Sequence, residues 1–331
     1  MTSSANALLR RKLMGFVLTQ AIHAVVETGV IDRLAAGPAT VAQLAAASGT
    51  DPDALARFLR LLGTEGVLAG DPGGTYTLTE LGELLRRDVP GSLRHFASMM
   101  VGESYLAWQA AEHTLRTGEP AFDNVFGTAM FSWLAEHPEE EARFTAAQAG
   151  LVRLRAAPLL DYEWSDIRTV VDVGGGNGGL LALLLADRPG LCGVLLDLPH
   201  VVARASGTLA EAGVADRCEC VGGDFFEAVP AGADAYLLAE ILHDWNDTKA
   251  VELLRLCREA MPKSARLLIL EQVAHEDGSR WDDLLDLHML VMVGGRERDR
   301  KAWHSLLGEA GFVITDVRGG ARSSLIEARP G

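Results

Sequence analysis

Cysteine is scarce in this chain, four in 331 residues, and Cys192, Cys218, Cys220 and Cys257 fit no disulfide framework. Cys218-Glu219-Cys220 has alternate-residue spacing with no second ligand pair near it. Neither this nor any other His, Cys or carboxylate spacing implies a metal. Reduced thiols, mostly packed in the interior, are expected. Cations are short as well: 30 Lys and Arg against 45 Asp and Glu give a net charge of −15, which repels polyphosphates at long range. Nucleic-acid binding would need a local basic patch, and Arg10-Arg11-Lys12 and Arg86-Arg87 read as solvated helix faces. Hydrophobic residues make up 48% of the chain, yet charges interrupt every run long enough to span a bilayer, so no membrane partner is expected. Residues 1–6 have neither the basic nor the apolar stretch of a secretion signal, and the expected location is the cytoplasm.

What is present suffices for two domains and a large core. Segment 1–95 reads as helices with one small hairpin. Thr40 followed by Gln43 is a capping-box pattern opening a helix at Val41. Asp51-Pro52 gives the next helix an N-cap and a first-turn proline, and Leu55, Phe58, Leu59 and Leu62 form its buried stripe. Gly66-Val67-Leu68 and Thr75-Tyr76-Thr77-Leu78-Thr79 flank Gly70-Asp71-Pro72-Gly73-Gly74, a hairpin signal. Helix, turn, helix, hairpin is a winged-helix outline. As a DNA reader, the second helix would offer Arg57 and Arg60 against Asp51, Asp53 and Glu65. A packing and dimerisation module is therefore preferred to a ligand-sensing DNA-binding regulator. Segment 96–165 reads as a helical connector with Met99, Met100, Trp108, Phe122, Phe126, Met130, Phe131 and Trp133. Most of these belong to a core, and some line a pocket for a flat apolar ligand.

From 166 to 331 short apolar runs alternate with helical segments, the pattern of a parallel sheet with crossover helices. The runs are 169–173, 193–197, 218–221, 235–238 and 266–270, with two more near 313–315 and 324–327. Gly174-Gly175-Gly176-Asn177-Gly178-Gly179 follows the first run and precedes an apolar helix. Glycines there let the backbone turn sharply and approach a ligand at a helix N-terminus. Asp197 ends the second run, placed to accept hydrogen bonds from both ribose hydroxyls of an adenosine. Gly174, Gly176 and Gly179 also satisfy the dinucleotide fingerprint, so a nicotinamide enzyme is the competing reading. Several features oppose it: Asp172 just before the turn, Gly222-Gly223-Asp224-Phe225-Phe226 after the third run, and Leu242-His243-Asp244-Trp245-Asn246-Asp247 after the fourth.

Together these motifs resemble the S-adenosylmethionine-dependent O-methyltransferases of the plant caffeate type and their bacterial relatives in polyketide and antibiotic tailoring. The resemblance is carried by Val171-Asp172-Val173-Gly174-Gly175-Gly176-Asn177-Gly178, Leu196-Asp197-Leu198-Pro199-His200, Gly223-Asp224-Phe225-Phe226, His243-Asp244-Trp245 and Gly294-Gly295-Arg296-Glu297-Arg298. It implies a Rossmann-like methyltransferase domain with a mostly parallel seven-stranded sheet, behind an N-terminal winged-helix-like dimerisation domain, and hence a homodimer. It also implies S-adenosylmethionine as cofactor, S-adenosylhomocysteine as product and no metal. Gly174 then approaches the methionine part, Asp197 holds the ribose, Asp224 and Phe225 flank the adenine, and Gly176 and Leu198 complete the cofactor-binding set. The chain departs from the family at Ala239, where a Lys or Ser often contacts the cofactor; Glu240 follows it.

The chemistry expected is transfer of the methyl group to a hydroxyl of a small aromatic, polyketide-like or phenolic molecule. Alignment of acceptor oxygen, methyl carbon and sulfur is the main source of acceleration. A phenol of pKa ~10 is mostly protonated at neutral pH, and a neutral imidazole can take its proton. His243 is the expected general base. By the resemblance, Glu271 and Glu297 bracket it, fixing its tautomer and stabilising the imidazolium. Taken alone, Glu297 has Arg296 and Arg298 as ready ion-pair partners. Asp286-Leu287-His288-Met289-Leu290-Val291-Met292 is expected to line the acceptor site, with His288 able to touch substrate. The alternative is a relative that binds the same cofactor and decarboxylates or hydroxylates such a molecule; the histidine and both glutamates favour methylation.

Overall fold

The computed structural model describes residues 3–71, 74–274, 280–319 and 323–331. The chain divides into two compact units, Met1–Leu106 with Ala142–Leu151, and Ala107–Glu141 with Val152–Gly331.

The second unit is built on a seven-stranded sheet. Its strands are β1 (Thr169–Val173), β2 (Cys192–Asp197), β3 (Cys218–Gly222), β4 (Ala235–Ala239), β5 (Arg266–Glu271), β6 (Phe312–Gly319) and β7 (Ser324–Pro330). They lie in the order β6-β7-β5-β4-β1-β2-β3. β1 to β5 run parallel, and β7 is antiparallel to both its neighbours. The central strands are buried almost continuously, as expected where helices cover both faces. One face packs α3 (Asp247–Ala260) and α5 (Arg300–Glu309) through Leu253, Leu254, Trp303 and Leu307. The other packs α1 (Gly179–Asp187) and α2 (Pro199–Glu211) through Leu181, Leu184, Leu185 and Leu209. Each such side chain contributes about 1.5–3 kcal/mol by leaving water. The strand order reverses between β1 and β4, and ligands bind at such a switch point, outside the carboxyl ends of the strands. The remaining long helix of this region, α4 (Arg280–Val293), contributes Val291 and Met292 to a smaller cluster with Phe122.

Burial corrects two expectations here. Cys257 is enclosed, but Cys192 and Cys220 are exposed and Cys218 is half-buried, because β3 is an edge strand and Cys192 only starts β2. Phe122 is fully buried in its segment, whereas Trp108 is exposed and Phe126 and Trp133 are half-buried.

The first unit begins with helices whose apolar faces form their own core, among them Val26, Ile31, Leu44, Leu59 and Leu62. Thr40 and Gln43 make the expected capping box, and Asp51 accepts from the Ala54 N–H at 2.8 Å. Helix Pro52–Thr64 buries Leu55, Leu59 and Leu62 but leaves Phe58 39% exposed, because Phe58 falls at the margin of the arc that the leucines share. Arg57 of the supposed reader helix pairs with Asp53 at 2.8 Å. Leu68–Gly70 and Thr75–Leu78 form the hairpin, with Ala39–Thr40 as a third antiparallel strand; Pro72 and Gly73 lie outside the described residues. Among the described residues, no helix is long and apolar enough to cross a membrane.

Candidate active site

After β1 the chain turns through Gly174, Gly176 and Gly178, with φ of 74°, 60° and 76°, a region L-residues rarely enter. A Cβ on Gly174 would meet the Ile241 side chain at 2.6 Å and the Phe225 ring at 3.4 Å. The segments after β1, β3 and β4 therefore converge at this turn. Asp197 Oδ2 accepts from the Gly176 N–H at 2.8 Å, and Oδ1 from the Leu198 N–H at 2.7 Å. Burial pushes this carboxyl up, while the two backbone donors pull it back. Beside it lies a recess of about 340 Å³ lined by Leu196, Gly222, Gly223, Asp224 and Val229. Asp224 Oδ1 accepts from the Phe226 N–H at 2.8 Å, and the Phe225 ring packs against Phe226 and Trp245.

Beneath the turn Asp172 is enclosed, and among the described residues neither carboxyl oxygen has a hydrogen-bond partner. Burial, and then the charge on Asp197, push its pKa from 3.8 to about 7. The folded protein thus holds this proton more tightly than the unfolded chain does. Stability falls as pH rises from about 4 to about 7, and above that the cost of a buried charge is fully present. Asp172→Asn should therefore raise the melting temperature of the ligand-free protein more at pH 8 than at pH 5. Thermal scans against pH check this, and an equal shift at both values contradicts it.

β4 ends at Ala239, and Glu240 takes φ 54° although it has a side chain. Its carboxylate pairs with Arg155 at 2.7 Å. The chain then coils into a short turn, Leu242–Asp244. Glu271, at the end of β5, receives the N–H groups of Ile241, Leu242 and His243 on one oxygen, at 3.1, 2.9 and 3.3 Å. His243 Nδ1 lies 2.9 Å from Glu297 Oε1 and 3.7 Å from Glu271 Oε2. The two glutamates thus do different jobs: Glu297 hydrogen-bonds the ring, and Glu271 holds the backbone that carries it. Nε2 faces the other way, 3.5 Å from Asp244 Oδ1.

Arg296 and Arg298 pair with Asp247 and leave Glu297 to the histidine. Arg298 also donates to the carbonyls of Leu242 and Trp245, tying the turn to the start of α3. That helix is capped by Asn246 and begins at Asp247. Asp286 on α4 accepts from the Glu297 N–H at 2.8 Å. Gly295 packs so closely on the His243 carbonyl and the Asp244 backbone that any Cβ would overlap them. Gly295→Ala must shift this turn, and methyl transfer should fall by about 10²-fold. Steady-state rates alongside circular dichroism check it; full activity in the folded variant contradicts it.

Burial alone would push the His243 pKa down, but Glu271, Asp244 and the hydrogen-bonded Glu297 outweigh it and hold it well above 6.5. Burial in turn raises Glu271 to about 8 and Asp244 to about 6. Sequence reasoning noted Glu240 only as the residue after Ala239, and Arg155 carried no signal, being one more cation on a helix. The departure at Ala239 was the available pointer to this half-buried pair.

A doubly wound sheet with a glycine turn, a strand-end acid and a carboxylate-held histidine at the same edge defines a Rossmann-like transferase of adenosyl cofactors. The chain belongs to the O-methyltransferase family and is S-adenosylmethionine-dependent: the O-methyltransferase domain matches residues 108–313, and the O-methyltransferase dimerisation domain matches residues 11–88. It is 41% identical to phenazine O-methyltransferase of Lysobacter antibioticus, over 98% of this chain and 96% of that one. It is also 41% identical to O-demethylpuromycin-O-methyltransferase of Streptomyces alboniger, over 96% and 87%. Among solved structures, an O-methyltransferase from neocarzinostatin biosynthesis, in complex with S-adenosylmethionine and 2-hydroxy-5-methyl naphthoic acid, superposes with a TM-score of 0.81. That match is 34% identical and covers 95% of this chain and 96% of that one.

Proposed function

We propose that this enzyme methylates a hydroxyl group of a small aromatic secondary metabolite, with His243 as general base. The observation that carries the reading is the His243–Glu297 hydrogen bond, which engages Nδ1 and leaves Nε2 as the working nitrogen. The residues fit the cofactor. Gly174 and Gly176 offer a cradle that a Cβ would strain, the Asp197 carboxylate is the acceptor for the ribose with Leu198 beside it, and Asp224 borders the recess assigned to the adenine, with Phe225 next to it in the chain. The Glu240–Arg155 pair supplies charges of both signs for an amino-acid head group. When bound, the cofactor supplies an electrophilic methyl group on a cationic sulfur.

The protein's own groups do the rest. The His243 imidazolium favoured by the surrounding carboxylates is disfavoured once a second positive charge occupies the site, so the ring goes neutral. Nε2 then takes the proton of the acceptor hydroxyl, and Glu297 stabilises the imidazolium that results. Glu271 keeps the turn in place. Phe126 and Trp133, half-buried over a core of Phe122, Val291 and Met292, supply an apolar wall for the aromatic ring. In this reading the connector 96–165 serves the acceptor pocket and 1–95 serves dimerisation. Incubation with methyl-labelled cofactor and a panel of phenols and hydroxynaphthoates tests the reaction. Label in the product supports it, and a product of changed mass without label favours decarboxylation or hydroxylation.

The homodimer is proposed through the N-terminal helices, where Leu8, Leu9, Leu13, Met14 and Phe16 are all exposed. Leu13→Glu should shift the protein toward monomer in light scattering, and an unchanged mass argues against this surface.

A further inference from the structure

His288 stands apart from the machinery described above. It lies on α4, two residues after Asp286, whose carboxylate holds the Glu297 backbone. The indole of Trp108 donates from Nε1 to His288 Nδ1 at 3.1 Å, and the two rings are nearly parallel, 11° apart in plane. An indole N–H can only donate, so Nδ1 must be the accepting nitrogen and the ring's proton sits on Nε2. Burial, and then the charge of His243, hold the His288 pKa down at about 4, so the ring is neutral throughout the working range. Among the described residues, Nε2 has no hydrogen-bond partner. A neutral imidazole with its tautomer fixed and its N–H unused, electrostatically coupled to the catalytic histidine, is a donor waiting for an acceptor.

We propose that His288 is a specificity-determining residue whose Nε2–H donates to an uncharged carbonyl oxygen carried by the aromatic acceptor next to the hydroxyl that is methylated. The charge of the surroundings selects a carbonyl over a carboxylate. Glu297 and Asp244 already crowd the catalytic histidine, and another anion beside them is repelled. A ketone or quinone oxygen adds no charge. It also has two lone pairs, so it can keep an internal bond to its neighbouring hydroxyl and still accept from His288. Trp108 is the positioning residue: it sets the tautomer, without which the ring would be free to turn an acceptor nitrogen toward the same oxygen. The inference rests on the aromatic-hydroxyl reading above and sharpens it to acceptors of the hydroxy-ketone or hydroxy-quinone kind.

The test is a matched pair of ligands differing only in C=O against CH₂, 2-acetyl-1-naphthol and 2-ethyl-1-naphthol, titrated calorimetrically into the full-length enzyme loaded with S-adenosylhomocysteine. The parent protein should bind the ketone about tenfold more tightly, the worth of one good hydrogen bond. His288→Leu should erase that gap while leaving the affinity for the ethyl compound within about threefold. His288→Gln, which restores a side-chain N–H, should recover part of the gap, and Trp108→Phe should narrow it. A parent gap of about threefold or less, or a gap that His288→Leu leaves in place, overturns the proposal. Because titration needs no turnover, the outcome separates from the reaction itself. A protein that shows the His288-dependent gap yet transfers no methyl to any phenol refutes methylation and leaves this donor standing. One that methylates phenols without the gap does the reverse.

Discussion

His243→Ala should lower the methylation rate by ~10²–10⁴-fold and leave the affinity for S-adenosylmethionine nearly unchanged. The split follows from geometry, since the imidazole is held by Glu297 and Glu271, while the groups assigned to the cofactor lie on the glycine turn, on β2 and beyond β3. The pH dependence carries a sign as well. Only the neutral ring accepts a proton, so the rate rises with pH through the His243 pKa. The neighbouring carboxylates place that rise above the ordinary 6.5 in the ligand-free site. The alanine variant should lose this limb of the profile. Equal activity, or an unaltered acid limb, removes His243 as the base. Glu297→Gln is the companion variant: it keeps a hydrogen bond to Nδ1 but not the charge, and should cost less than removing the ring.

Asp197→Ala has the opposite signature, a large loss of cofactor affinity before any loss of chemistry. The carboxylate does two jobs, accepting from the Gly176 and Leu198 backbone and standing where a ribose would bond. Hydrogen bonds to a charged group are worth about 1.5–3 kcal/mol each, so losing them should raise the dissociation constant by roughly 10²-fold or more. Calorimetric titration with S-adenosylhomocysteine reads this directly. An unchanged constant means that the ribose is held elsewhere. Asp197→Asn separates the two jobs, because an amide oxygen can still accept one backbone bond while the negative charge is gone.

Much of this was legible in the sequence because it lies in short, contiguous signals. The strands were visible as apolar runs, since a parallel strand buried on both faces must be apolar throughout. The glycine turn was visible because only glycine tolerates its φ values. The capping box at Thr40 and the proline after Asp51 marked helix starts as read. Where the reading failed, the cause was a neighbour distant in the chain. Cys220 looked like a core thiol until β3 proved to be the sheet's edge. Arg296 and Arg298 looked like partners for Glu297 until Asp247 was folded against them. Glu271 lies beside the imidazole as read, 3.7 Å from Nδ1, but its hold on the backbone beneath the ring carried no signal in the sequence.

By itself, then, the chain's residue order determined the class of fold, the cofactor and the histidine to suspect, because each depends on backbone conformation or on residues adjacent in sequence. Tertiary structure alone decided which carboxylate touches which nitrogen, that Asp172 and Glu240 bring carboxyl groups inward, and that Trp108 fixes the proton of His288 from 180 positions away. The physical reason is that hydrogen bonding and desolvation act over a few ångströms of space, and sequence distance says nothing about which groups the folded chain brings within that range.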